Sequence, residues 1–187
     1  MTSPRGRRPR QLRIPAEGNE QPDLIGAVVG RFLAAVSFET GARPDYPSLR
    51  ALFVNGAHLT PTSSGRPESL TVEEFIASRS AQVASGQLSA FEEQETGHVS
   101  EIFGNVAHRF STYHKAASFE GTSRQTSGMI STQLVRTQQG WRISSMAWDD
   151  ERSGVSAPVW LSYRARAARS EGRDDGPGAS HSIPSVR

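Results

Sequence analysis

The stretch from Gly86 to Asp149 constrains this chain more than any other part of it. Four segments, 88–102, 105–117, 126–138 and 141–149, carry the β-branched and aromatic residues and period-2 patterning of strands. They are separated by Gly104-Asn105, by a loop around Gly121 and by Gln139-Gly140. Glycine supplies the left-handed backbone of tight hairpins, so consecutive antiparallel pairing is the simplest reading. A sheet of that size must bury at least one face against something.

The cover lies upstream. Leu24, Ile25, Val28, Val29, Phe32, Leu33 and Val36 recur at helical spacing after Asp23, a suitable N-cap, and Gly41 stops the segment. "DYPSLRALFV" reads as a short second helix with Leu49, Leu52 and Phe53 on one side. "NGAHLTPTSSGRPESL" follows as a turn, a short strand and a loop. Thr71-x-x-Glu74 is a capping box that opens a third helix carrying Phe75, Ile76, Arg79 and Val83, and Gly86 ends it. The fold class expected is α+β: three N-terminal helices packed on a strongly curved, mainly antiparallel sheet.

Bulk properties narrow the function. A length of 187 residues accommodates one domain with tails. With no cysteine, disulfides, thiolate catalysis and cysteine metal sites are excluded. The whole chain carries +2, of which residues 1–21 contribute +3 and residues 153–187 contribute +2, leaving −3 for residues 22–152. The basic charge therefore belongs to the ends, and no specific nucleic-acid partner is expected. The best apolar run, "LIGAVVGRFLAAV", is interrupted by Arg31 and is too short for a membrane span. "RGRRPR" is separated from that run by "PAEGNEQPD", which is wrong for a signal peptide, so a cytoplasmic location and no membrane association are expected. The organisation expected is a disordered basic tail at 1–21, a domain at 22–152 and a largely disordered C-terminal extension at 153–187. In that extension "VWLSYRARAARSE" is a candidate short helix packing Trp160, Leu161 and Tyr163.

Three stretches carry a family resemblance: "YPSLRALFV" after the first helix, "FGNVAHRFSTYH" at 103–114, and "SGMISTQLVRTQQGWRISSMAWDDE" at 127–151. Their order resembles the nuclear transport factor 2-like superfamily, the cone-shaped α+β fold of SnoaL-like polyketide cyclases, ketosteroid isomerases and scytalone dehydratase. The resemblance implies a conical pocket between helices and sheet, and frequent dimerisation through the outer sheet face. Strict alternation along 141–149 agrees with two covered faces. Trp141, Ile143, Ser145 and Ala147 fall on one face, and Arg142, Ser144, Met146 and Trp148 on the other. A second copy is the simplest cover for Met146 and Trp148, with the Trp160 segment as its competitor.

Candidate chemistry follows from strand parity. Val106, His108, Phe110, Thr112 and His114 share one face; Ala107, Arg109, Ser111, Tyr113 and Lys115 share the other. His108 has the chemistry of a general base, but a packing role is preferred, and His114 is expected in solvent. Arg109 and Lys115 draw their face towards water at its ends. Tyr113 is the better site residue, since a phenol donates to a developing oxyanion. In "FEEQETGH", Phe91, Glu93 and Glu95 share a face, so a core-facing Phe91 turns Glu93 to the cavity, where burial raises a carboxyl pKa. The competing reading is an edge strand whose charges deter aggregation. In "WDDE", Asp149 has Trp141's parity and would close the pocket, whereas Asp150 and Glu151 mark the strand's exit into solvent.

Glu93 and Tyr113 are thus the catalytic candidates, and Phe53, Phe91, Ser111, Gln133, Ser145 and Asp149 the candidate ligand contacts. Scattered histidines give no metal spacing, and no cofactor is expected. The function expected is binding of a small apolar or aromatic molecule in a homodimeric SnoaL-like domain. Two alternatives stay open: acid–base chemistry of the isomerase, dehydratase or cyclase type through Glu93 and Tyr113, and a non-catalytic partner-binding module.

Overall fold

The computed structural model describes residues 21–63 and 65–158, with side chains from residue 24 onward. The expectations for residues 1–20 and 159–187, Trp160, Leu161 and Tyr163 among them, lie outside the described residues, whereas Gln21 belongs to the first helix and Val155 bridges Arg152. Three helices precede most of the sheet: α1 (Gln21–Val36), α2 (Tyr46–Arg50) and α3 (Val72–Ala84). The strands are β1 (Phe53–Pro61), β2 (Leu70–Thr71), β3 (Leu88–Phe103), β4 (Val106–Phe119), β5 (Thr122–Thr137) and β6 (Gly140–Asp150). They form one sheet in the order β2-β1-β6-β5-β4-β3. Every neighbour pair is antiparallel except β1 with β6. The α+β class is as the sequence implies, with a fuller sheet, because the segment read as a short strand at 55–70 supplies β1 and β2.

Helix ends follow local chemistry. Thr71 Oγ1 accepts from Glu74 N at 3.2 Å while Glu74 Oε2 accepts from Thr71 N at 2.8 Å, completing the capping box. Asp45 caps α2 by accepting from Ser48 N at 3.1 Å. α1 begins at Gln21, so Asp23 lies inside the first turn rather than at the N-cap. Ile25, Val28, Val29, Phe32, Leu33 and Val36 are buried as their spacing demands, but Leu24 is 54% exposed. Phe53 opens β1 instead of closing the second helix, and stacks edge-on against Phe32 at 6.1 Å. Among the described residues no helix is long and apolar enough to cross a membrane.

Two features of the sheet depart from simple alternation. First, β4 and β5 run through the loop expected around Gly121: Glu120 and Gly121 form the turn, both with positive φ, and Thr122 to Gln125 pair with Phe119 to Ala116. Those four residues are polar and exposed, so they carry no apolar period to read. Second, β-bulges interrupt β3 and β6. Thr96 is the extra residue between Glu95 and Gly97 opposite β4, and Ser144 is the extra residue between Ile143 and Ser145 opposite β5.

The β6 bulge overturns the two-face reading of 141–149. One inserted residue reverses the parity that follows. Trp141, Ile143 and Met146 are therefore buried in a single core cluster, 4%, 0% and 1% exposed, with Trp148 packed against it. The apolar residues assigned to a second covered face belong to the first. The same reversal corrects the end of the strand, turning Asp150 inward and Asp149 outward.

Candidate functional site

The inner face of β4 is the one bearing Ala107, Arg109, Ser111, Tyr113 and Lys115, not a face drawn out to water. Arg109 is 3% exposed and Tyr113 is 1% exposed. At the α1 end, Arg109 donates to both Glu95 oxygens, at 2.8 Å from Nε and 2.5 Å from Nη2, and to Ser100 Oγ at 3.0 Å. Ser111 Oγ adds a bond to Glu95 Oε1 at 2.6 Å. Helix α1 crosses this guanidinium at Gly26, where an added Cβ would lie 3.5 Å from Nη2. Burial pushes the Glu95 carboxyl up, but the bonds from His98, Arg109 and Ser111 win and hold it at about 2. Every acceptor there is occupied, so the cluster braces the cone.

The open end lies two residues along the same strands. Phe38 and Phe91 exchange backbone hydrogen bonds of 2.7 and 2.9 Å, tying the end of α1 to β3. Phe32, Val36, Phe38, Phe75, Phe91 and Trp148 then wall a pocket whose polar side is Tyr46, Arg79, Glu93 and Lys115. Phe75 meets Trp148 edge-on at 6.0 Å. The enclosed volume is about 40 Å³, room for about three water molecules at ~10–15 Å³ each.

The polar groups form a graded set. Glu93 faces Lys115 across the β3–β4 pair, and its backbone N–H donates to Ser37 Oγ at 3.1 Å. Burial pushes the Glu93 carboxyl up to about 7 against the pull of Lys115 and Arg79, and the charge of Asp150 adds to the rise. Lys115 Nζ sits 2.6 Å from Asp150 Oδ1. Tyr113 donates to the same Asp150 oxygen and lies 3.1 Å from the Asp149 carbonyl. Burial, then the Asp150 hydrogen bond, raises the Tyr113 pKa, keeping the phenol protonated. Arg79 spans the rings of Phe75 and Phe91 at 5.7 and 5.6 Å, and burial lowers its pKa. Tyr46 Oη is buried without a well-formed hydrogen bond; Ser80 is the hydroxyl beside it.

Among the residues singled out from sequence, Glu93 and Phe91 line the pocket. Tyr113 is on the same face but beneath the pocket, its hydroxyl engaged by Asp150. Ser111 serves the Glu95 cluster, and Phe53 packs on Phe32. Gln133 is exposed and pairs in register with His108 and Ser145, which puts both Gln133 and Ser145 away from the pocket. Asp149 pairs with Arg152 at 2.7 Å instead of closing the pocket. His108 bonds Ser131 Oγ at 3.1 Å and stacks on Phe110, and His114 is exposed. Sequence reasoning missed Asp150, Lys115, Trp148 and Arg79. Only Arg79 left a signal, an arginine at i+4 from Phe75 inside the apolar stripe of α3.

No protein-family model matches this sequence, and no curated protein sequence matches it significantly. Solved structures do. The Kfla4162 protein of Kribbella flavida superposes with a TM-score of 0.59 at 20% identity, over 71% of this chain and 91% of that one. A nuclear transport factor 2-like superfamily protein from Salmonella enterica gives 0.58 at 16% identity, over 73% and 96%. The chain has the nuclear transport factor 2-like fold. A ketosteroid isomerase-like protein from Erwinia carotovora adds a TM-score of 0.56 at 16% identity, over 72% and 99%. In this fold the pocket occupies the interior of the cone, beneath all three helices.

Proposed function

We propose that the domain binds a small apolar or aromatic molecule in the cone, oriented by Glu93 and Lys115. The observation that carries this reading is one partly buried carboxyl, poised near neutrality, beside Lys115 and Arg79 in a pocket whose other walls are mainly aromatic and aliphatic. A ring needs more room than the pocket offers at rest, since a benzene-binding cavity measures ~150 Å³. Arg79 is the group that yields. It is held by two ring contacts, a 3.2 Å bond to Gln82 and the longer-range attraction of Glu93 and Asp150, with no salt bridge to a carboxylate among the described residues, so its long side chain can swing aside. A neutral Glu93 leaves Arg79 and Lys115 against Asp150, a positive balance that favours a ligand with an acidic or electron-rich oxygen.

The test is a titration with 8-anilinonaphthalene-1-sulfonate, an aromatic anion, followed by its own emission. One saturable site per chain is expected, weakened about tenfold in Lys115→Met, the order of one charge-assisted hydrogen bond. Unchanged affinity in both Lys115→Met and Glu93→Gln would sink the proposal.

A second reading, proton transfer with Glu93 as base, is favoured by the position of its carboxyl near 7, where a general base works best. Tyr113 then acts as a positioning residue through Asp150. Deuterium exchange at the α-carbon of acetophenone would report it, and a rate unaltered in Glu93→Gln would rule it out. Homodimerisation and a cytoplasmic location complete the proposal. The support for a dimer is now the exposed Phe103 and Val106, paired beside the β3–β4 turn on the outer face.

A further inference from the structure

A second concavity lies away from the cone, where the first turns of α1 cross the β5–β6 hairpin. Its volume is about 530 Å³, and Leu24, Val28, Arg31, Arg136, Trp141 and Arg142 form its walls. Three guanidinium groups share it. Arg31 Nε donates to the Ala27 carbonyl at 3.3 Å, and Arg142 Nη1 to the Trp141 carbonyl at 3.0 Å. Among the described residues none of the three has a carboxylate partner. They stand on a segment, 22–152, of net charge −3, so they are a local concentration and not part of a generally basic surface.

The floor of the concavity belongs to the core. Trp141 is 4% exposed, and its Nε1–H is buried with no hydrogen-bond partner among the described residues. Guanidinium forks match carboxylates in shape and charge. The exposed Leu24 supplies an apolar wall beside them.

The concavity continues past Arg142. That residue also lines a groove of about 410 Å³ shared with Arg31, Ala35 and Leu52, and another of about 410 Å³ shared with Phe53 and Gln138. Asp45, the acidic residue in the first of these, already accepts from Ser48 N. A compact anion would fill one groove; an extended chain fills the series. We propose that this surface binds an acidic peptide segment of a partner protein. Its carboxylates pair with Arg31, Arg136 and Arg142, and its apolar side chains lie on Leu24 and Val28.

Fluorescence anisotropy of the full chain with a fluorescein-labelled octapeptide of alternating Glu and Leu tests this. Saturable binding is expected. The R31Q/R136Q/R142Q variant should weaken binding at least tenfold, and R5Q/R7Q/R8Q, which removes the same charge from the N-terminal segment, less than twofold. Equal losses in the two variants would overturn the proposal, as would equal binding of the Gln/Leu peptide. Displacement by inorganic phosphate at the concentration of the peptide would also overturn it, since that describes a simple anion site. Circular dichroism checks folding. If the triple variant unfolds, R136Q alone should still weaken binding about threefold, and no change there would overturn the proposal.

Discussion

Glu93 and Glu95 are the same residue type, on the same face of one strand, two positions apart, yet their protons behave in opposite ways. Glu95 is held at about 2 and Glu93 is pushed up to about 7. Both lose solvent. What differs is the partner set: Glu95 accepts from Arg109 twice and from Ser111, under a helix that closes over it. Glu93 faces aromatic walls, with its nearest lysine drawn to Asp150. Desolvation raises a carboxyl pKa unless hydrogen bonds to the charged form repay it. A saturated carboxylate braces the fold, and an unsaturated one beside a cavity is available to a ligand.

The largest break in this comparison is Arg109→Ala. It strands Glu95 beneath α1, and losing one partner of a buried pair costs about 3–5 kcal/mol. Chemical denaturation should show that loss at pH 7. In the native protein the Glu95 pair contributes in full above the ordinary carboxylate pKa of 4.5, and its contribution falls away as pH drops from there towards about 2. A loss under ~1 kcal/mol would mean the pair is a surface-type contact.

Gly128→Ala comes next. An added Cβ would sit 2.3 Å from both the Asp149 carbonyl and Tyr113 Oη. The phenol crosses the neighbouring strand there to reach Asp150, so overpacking should cost about 1–3 kcal/mol. Probe binding at the pocket should weaken as well, because Asp150 is displaced from Lys115. Full stability in this variant would mean that Tyr113 is free to move.

Glu93 has the smaller effect and the opposite sign. Its folded-state pKa, about 7, lies above the ordinary 4.5, so the native state holds the extra proton between those values. Stability attributable to Glu93 is greatest below 4.5, declines as pH rises to about 7 and is level beyond it. Replacing it by Gln should remove that decline, raising Tm at pH 8 by about 2–8 °C with little change at pH 4.5. A Tm difference that persists in the variant would place the titration elsewhere.

How much of this was legible in the sequence depends on period. The capping box at Thr71, the α1 stripe and four long strands announce themselves, because each repeats a local rule. The bulge at Ser144 does not. Its insertion is invisible in a stretch that alternates plausibly either way, and it moves Met146, Trp148 and Asp150 to the inner face together. That one residue separates the sequence's Asp149 from the structure's Asp150 and folds the apparent second apolar face into the first. Lys115 escapes for a different reason: a charge near a strand end ordinarily faces water, and here Asp150 draws it inward.

His108→Ala is the smallest change and the sharpest control on the choice of face. The imidazole lies on the outer side of β4, partly buried, bonded to Ser131 and stacked on Phe110 at 5.9 Å. Its removal forfeits one hydrogen bond and some packing, about 0.5–1.5 kcal/mol. Nothing connects it to the pocket except backbone: its neighbours Ala107 and Arg109 point inward while it points out. Probe affinity and any exchange activity should therefore match the native protein. Lost binding with stability intact would put the ligand on the outer face, where a histidine and two exposed apolar residues would have to do what Glu93 and the aromatic walls are assigned here.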